Sequence, residues 1–294
     1  MLDVYEAVTS RRAVRAFSDR PVPREALDRV LSAATRTPSA SNLQPWHVYV
    51  LTDGALAELK KRTCRRLTAG DAWDEPEYQQ YPPVLKSPYR ERRSAFGEQR
   101  YGALGIARED LEARQRAAAA NWECFGAPAA LFCYVDRDMG PAQWSDVGMY
   151  LQTVMLLLRA EGLHSCPQMA WAKFHTTVAE ILSPPDQLIL FCGMSIGFED
   201  DTARCFRTGR APLAETVAFV DTVDAAQPVP LPEGTAATGS TSRLHGAGTT
   251  PTAPAKRHAP RSGPLRRVAA RLSDGFARRV GRLASQVGLP PGGG

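Results

Sequence analysis

The sequence predicts a mixed helix-and-sheet fold, α/β or α+β, rather than a helical bundle. Three observations carry that expectation. WHVYVLT (Trp46 to Thr52) is a short run rich in β-branched and aromatic residues, the composition of a strand, and AALFCYVD (Ala129 to Asp136) reads as a second. LILFCGMSIGF (Leu188 to Phe198) is almost continuously apolar, which suits a strand covered on both faces. Segments with helical spacing separate these runs, and no internal repeat is visible.

Taken in order, Asp3 to Ser10 reads as a short helix with Val4, Ala7 and Val8 on one face. Residues 23–35 form a second helix, with Pro23 near its start and Leu27, Val30, Leu31 and Ala34 at helical spacing. Residues 54–68 return to helix. The stretch from Gly70 to Pro88, rich in Pro, Tyr and acids, reads as an irregular excursion, and Arg108 to Asn121 as a helical region. Residues 145–162 are the most periodic: Val147, Tyr150, Leu151, Val154, Leu157 and Leu158 mark one broad apolar face, and Gly162 is the stop. TVAFVD (Thr216 to Asp221) is a candidate last strand.

Composition divides the chain. From Ala225 onward ten Lys and Arg stand against Glu233 and Asp274, a segment charge of +8; the whole chain carries +5, so the remainder carries −3. That mildly acidic part does not call for nucleic acid. Residues 1–224 form the expected folded domain, long enough for one well-buried core. Residues 225–263 are Pro, Gly, Ala, Ser and Thr with few large apolar residues, and read as a disordered linker. Residues 264–294 form a basic tail, amphipathic over 264–287, of the kind that meets an anionic membrane surface or an acidic partner. Six cysteines without a CxxC pair argue against a metal site. MLDVYEAVTSRR lacks a signal-peptide core and no long apolar run exists, so a cytoplasmic, reduced-thiol protein is expected.

Four strings carry chemistry, the last two as a pair. SRRAVRAF (Ser10 to Phe17) places Arg11, Arg12 and Arg15 within five residues, donors suited to phosphate oxygens, though such a cluster alone is also a solvated basic face. TPSASNLQPWHV (Thr37 to Val48) offers turn amides and hydroxyls ahead of a strand, whether for a ligand or only for the turn. GLHSCPQMAW (Gly162 to Trp171) joins the buried helix to a loop, and FRTGRAPL (Phe206 to Leu213) sets Arg210 beside Gly209 in a rigid turn. His164, Ser165 and Cys166 are adjacent in sequence, which does not make a triad, and no catalytic protein group is assigned.

In order and spacing these strings resemble the nitroreductase family over Tyr5 to Asp221. RYGALGIARED (Arg100 to Asp110), NWECFGAPAALF (Asn121 to Phe132) and AWAKFH (Ala170 to His175) are similar to its nitrobenzoate-reductase-like branch. The resemblance implies a three-layer α/β/α arrangement of the α+β class, an interwoven homodimer, and two noncovalent FMN molecules at its interface. It implies that Arg11, Arg12, Ala13 and Arg15 meet FMN, with Arg11 and Arg210, beside Gly209, on the phosphate and Arg15 at the pyrimidine edge. Pro38, Ser39, Ala40, Asn42 and Gln44 would reach in from the second subunit, and Met169 and Ala170 would lie at the flavin N5 side. Two departures stand out: Arg12 and Ala13 occupy positions where members often have His or Ser, and Gln168, Met169 and Ala170 replace a Gly-rich loop.

The resemblance implies NAD(P)H as a transient hydride donor, in keeping with the absence of a GxGxxG fingerprint, and a small nitroaromatic or quinone as acceptor. Trp73, Tyr78, Tyr81, Tyr89, Phe96 and Tyr101 could stack on such a ring or simply pack. Other FMN redox chemistry, such as dehydrogenation of a natural-product intermediate or reductive dehalogenation, and a non-enzymatic FMN-binding protein stay open as alternatives.

Overall fold

The computed structural model describes residues 2–71, 73–204 and 206–220. The linker, the tail and the end of the first expected domain, residues 221–224, lie outside the described residues. Four strands form one sheet: β1 (His47–Thr52), β2 (Ala129–Asp136), β3 (His164–Gln168) and β4 (Leu188–Gly197). Their order is β1-β2-β4-β3, and every neighbouring pair is antiparallel.

The sheet is covered on both faces. Ala129, Leu131, Cys133 and Val135 of β2 point to one core, shared with α2 (Arg24–Ala34) and α6 (Pro141–Ala160). Ala130, Phe132 and Tyr134 point to the other, shared with α3 (Asp53–Ala69) and α7 (His175–Leu182). The period-2 alternation of a strand thus feeds two cores, and the result is three layers. The apolar run of β4 is buried on both faces as expected, though within an antiparallel sheet.

Where Cys133 pairs with Cys192, Tyr134 pairs with Leu190, so Phe191 is an extra residue in β4. The bulge moves Leu190 to one core and Cys192 to the other. It also frees the Phe191 carbonyl, which accepts the Tyr78 hydroxyl at 2.6 Å. Tyr78 therefore pins the irregular 70–88 excursion to the sheet.

The periodic helix expected at 145–162 begins earlier, with Pro141 at its first position, and closes at Gly162, whose φ of +75° is left-handed. In α1 (Val4–Ser10) only Ala7 is buried; Val4 and Val8 are exposed in the chain. Three elements differ from expectation. HSCPQ, read as the entry to a loop, is β3, because pairing with β4 outweighs its weak strand pattern. Helix α4 (Tyr89–Ala103) was not expected; it buries no residue completely and so lacks an apolar stripe to read, whereas α5 (Leu111–Ala119) falls within the helical region expected at Arg108 to Asn121. The candidate strand at 216–221 is not one over its described residues: a short 3₁₀ turn at Leu213–Glu215 precedes unpaired chain in which Val217, Phe219 and Val220 are exposed.

Candidate functional site

The arginine-rich string leaves α1 and runs extended beside β3. The Val14 N–H donates to the Ser165 carbonyl at 3.1 Å, and the Phe17 N–H to the Phe125 carbonyl at 3.1 Å. Val14 and Phe17 are buried while Arg11, Arg12 and Arg15 stay half-buried, so the backbone is fastened and the guanidiniums remain available. The Phe125 carbonyl is aimed by a left-handed turn through Cys124, Phe125 and Gly126. Gly126 is required there, since its φ is +86° and a Cβ would stand 3.2 Å from the Phe17 carbonyl.

Arg11 meets the distant FRTGRAPL segment. Burial, then the charges of Arg210 and Arg207, push its guanidinium below the ordinary arginine range. Arg210 is exposed and spends Nη1 on its own neighbours, the Thr208 and Gly209 carbonyls, each at 3.0 Å. No carboxylate pairs with Arg11, Arg207 or Arg210 among the described residues. The charges of Arg207 and Arg210 both reach Arg11, a set of cations whose chemistry suits a multiply charged anion.

Arg12 is held differently: it forms an ion pair with Glu199, just beyond β4. His164 Nε2 stands 3.6 Å from the same carboxylate and 3.0 Å from Arg159 Nη1. Burial, then the charge of Arg159, depress the imidazole below the usual histidine range, so it is neutral at pH 7. The neutral Nε2 accepts from Arg159.

Arg12, Ala13, Arg15, Arg100, Glu199 and Phe206 line a cavity of about 200 Å³. The Arg15 guanidinium lies 5.4 Å from the Phe96 ring centroid and 5.5 Å from that of Phe206, and Nη1 donates to the Ala13 carbonyl at 3.4 Å. Nearby, buried Gln168 donates to the Asn121 carbonyl at 2.6 Å and accepts from Ser195 Oγ at 2.5 Å. Met169 and Ala170 follow in a 3₁₀ turn, both half-buried, and the Met169 carbonyl accepts Gln80 Nε2 at 2.8 Å. A larger cavity of about 710 Å³, between α2 and α3, contains none of the site residues expected from sequence.

The loop with Pro38, Ser39, Ala40, Asn42 and Gln44 does not line the Arg15 cavity of its own chain. Its Ala40 N–H donates to buried Asp146 of α6 at 3.2 Å, and Trp46 stacks on Tyr150 of α6 at 4.8 Å. Ser39 Oγ accepts the Gln44 N–H at 2.9 Å, and Ser41, Asn42 and Gln44 are all left-handed. The loop is a rigid, outward-facing knuckle.

The family model described as the nitroreductase family matches residues 8–198, well over half of the chain. The chain belongs to the nitroreductase family. Among its relatives, a 4-nitrobenzoate reductase of Nocardioides sp. (strain LMS-CY) is 39% identical over 202 residues, covering 68% of this chain and 82% of the relative. A 4-nitrobenzoate reductase of Pseudomonas putida is 37% identical over 207 residues, 69% of this chain and 88% of the relative. Among solved structures, an FMN- and NADPH-dependent nitroreductase NfnB from Sphigopyxis sp. strain HMH superposes with a TM-score of 0.72 at 42% identity, covering 75% of this chain and 100% of that one. These names agree with the finer resemblance read in the sequence.

Other residues of this nitroreductase site were not singled out from sequence. Arg207 lies inside FRTGRAPL, and Arg100 inside RYGALGIARED, but nothing local distinguishes them from surface arginines. Glu199 and Phe206 become site residues only through the fold. Of the six aromatics expected near a substrate, Phe96 lies beside Arg15. Tyr78 is instead packed among Trp144 and Phe191, because its hydroxyl completes the β4 bulge. Trp73 lies against Trp122 and under Lys173 Nζ, 3.5 Å from the ring centroid, while Tyr81 and Tyr89 are exposed. No metal-ligating cluster occurs among the described residues, and none of their helices is long and apolar enough to cross a membrane.

Proposed function

We propose that this nitroreductase is an FMN-dependent, NAD(P)H-driven oxidoreductase for nitroaromatic or quinone-type small molecules. The observation that carries the reading is the convergence of Arg11, Arg207 and Arg210, without a carboxylate, beside the Arg15 cavity. FMN bound there noncovalently would supply the hydride chemistry between NAD(P)H and the acceptor, in ping-pong alternation at one site. Arg11 and Arg210 hold the phosphate, with Gly209 giving the turn. Arg12, fixed by Glu199, and Ala13 would bound the cofactor, Met169 and Ala170 would lie at its N5 side, and Arg15 at its pyrimidine edge. A cation there favours the negative charge of the reduced ring.

The working unit is a homodimer in which Pro38, Ser39, Ala40, Asn42 and Gln44 complete the partner's flavin site. Two features support this: the loop turns away from its own cavity, and the 40–42 turn and α1 both pack on α6 with Val4, Tyr5, Val8, Leu43 and Met149 left exposed. Residues 1–224 form the catalytic domain, 225–263 a linker and 264–294 a basic arm for an anionic membrane surface or an acidic partner. The protein works in the cytoplasm.

The deciding experiment combines Arg11→Ala with Arg210→Ala and measures flavin content. Each charged hydrogen bond contributes roughly 1.5–3 kcal/mol, so the double variant should lose FMN. Full occupancy would overturn the assignment. A chain ending at Asp224 should keep flavin and activity, and only the full chain should sediment with anionic vesicles at low salt. Loss of activity in the short form would overturn the domain boundary, and equal sedimentation the role of the arm.

A further inference from the structure

Arg100 stands in the last turn of α4 and lines the same cavity as Arg15. Its Nη2 donates to the Ala117 carbonyl of α5 at 2.9 Å. Its Nε is buried and has no partner. Burial, then the charge of Arg15, push its guanidinium below the ordinary arginine range. Arg15 in turn has a backbone carbonyl and two aromatic rings around it. Glu199 is the one acid among the described residues that line the cavity, and it is taken by Arg12.

Arg12, Arg15, Arg100 and Arg204 all line this largely apolar recess, and the buried Arg100 Nε–H is unused, which leaves free energy unrecovered until an acceptor with negative charge enters. The position of Arg15 and Arg100 narrows what that acceptor is. Both guanidiniums line one cavity with Ala13 and Ala16 of the arginine-rich string, which runs beside β3. The backbone of Ala13 and Val14 runs along that same strand. The cations therefore share their cavity with the arginine-rich string, where the cofactor's ring is assigned.

We propose that Arg100 is a second charge-holding residue of the flavin seat, acting with Arg15 on the negative charge the ring acquires on reduction. This inference rests on the FMN reading above. A hydride brings two electrons and one proton, so the ring gains one net negative charge, and the paired guanidiniums hold it without a proton transfer. Arg100 has no part in breaking or making the C–H bond; it sets how readily the ring accepts the electrons.

The test is the reduction potential of bound FMN, measured by anaerobic dye equilibration in the wild type, Arg100→Gln and Arg100→Lys. Arg100→Gln should reduce the preference for reduced over oxidised flavin about tenfold, a shift of ~30 mV to more negative values for a two-electron couple. Arg100→Lys should recover most of it. Oxidised FMN should bind all three proteins with similar affinity. A potential unchanged in Arg100→Gln overturns the inference and leaves the FMN reading intact. Should that unchanged potential accompany a higher KM for 4-nitrobenzoate and an unchanged KM for nitrobenzene, Arg100 belongs to the acceptor's carboxylate instead. Wild-type protein that binds no FMN overturns both readings.

Discussion

Replacing Gly193 by Ala tests how the sheet shapes the flavin site. Gly193 lies in β4 between Phe132 of β2 and Gln168 of β3. A Cβ there would stand 2.4 Å from Cδ1 of Trp171, 3.1 Å from Cγ and 3.2 Å from Nε1. The atoms it meets are ring atoms of a fully buried indole, which already packs edge-on to Phe132 at 5.3 Å between centroids. The indole would have to retreat by about 1 Å to reach ordinary contact, and close packing leaves it little room. Overpacking of this kind costs roughly 1–3 kcal/mol. For a domain of this size that lowers Tm by about 2–12 °C. Trp171 belongs to the same 3₁₀ turn as Met169 and Ala170, so the displaced ring should also weaken FMN binding. Thermal unfolding and flavin titration would be run on Gly193→Ala, Trp171→Leu and the double variant. In the Trp171→Leu background the alanine should cost little, because the obstructing ring is gone. Equal losses in both backgrounds would refute the steric argument, as would no loss in the wild-type background.

Two further outcomes follow from buried polar groups. His164 is held below the usual histidine range by burial and Arg159, so the unfolded chain takes up the proton first as pH falls below about 6.5. Its contribution is present above that pH and lost on acidification; Asn at 164 should flatten the fall in denaturant stability between pH 7.5 and 5.5, and parallel profiles would contradict the assignment. For Asp74, burial raises the carboxyl, but hydrogen bonds from Arg66 and Thr176 outweigh it and hold it below the usual range. Those bonds, 2.8 Å from Arg66 and 2.9 Å from the Thr176 N–H, tie the 70–88 excursion to α3 and to the start of α7. Asp74→Asn should cost about 2–4 kcal/mol and open this excursion to limited proteolysis; a variant as stable and as protease-resistant as the wild type would rule out the clamp.

Elements that rest on local pattern are readable in the chain itself. The β2 strand was legible to its end residues as the short apolar and aromatic run Ala129 to Asp136. Helix α6 was legible because its apolar residues recur at helical spacing, and the arginine-rich string because three guanidiniums fall within five residues. Tertiary structure decided what depends on partners remote in the chain. β3 is a strand only because β4 lies beside it, and its Ser and Pro give it no pattern of its own. The Phe191 bulge, which reverses the faces of β4, leaves no mark in an all-apolar run. Arg100 and Phe206 reach one cavity from segments with no stripe to betray their orientation. Arg11 meets Arg210 because a chain that runs along β3 passes the segment following β4. Periodicity records which face of an element is buried; it carries no record of which other element buries it, and the site is made where elements meet.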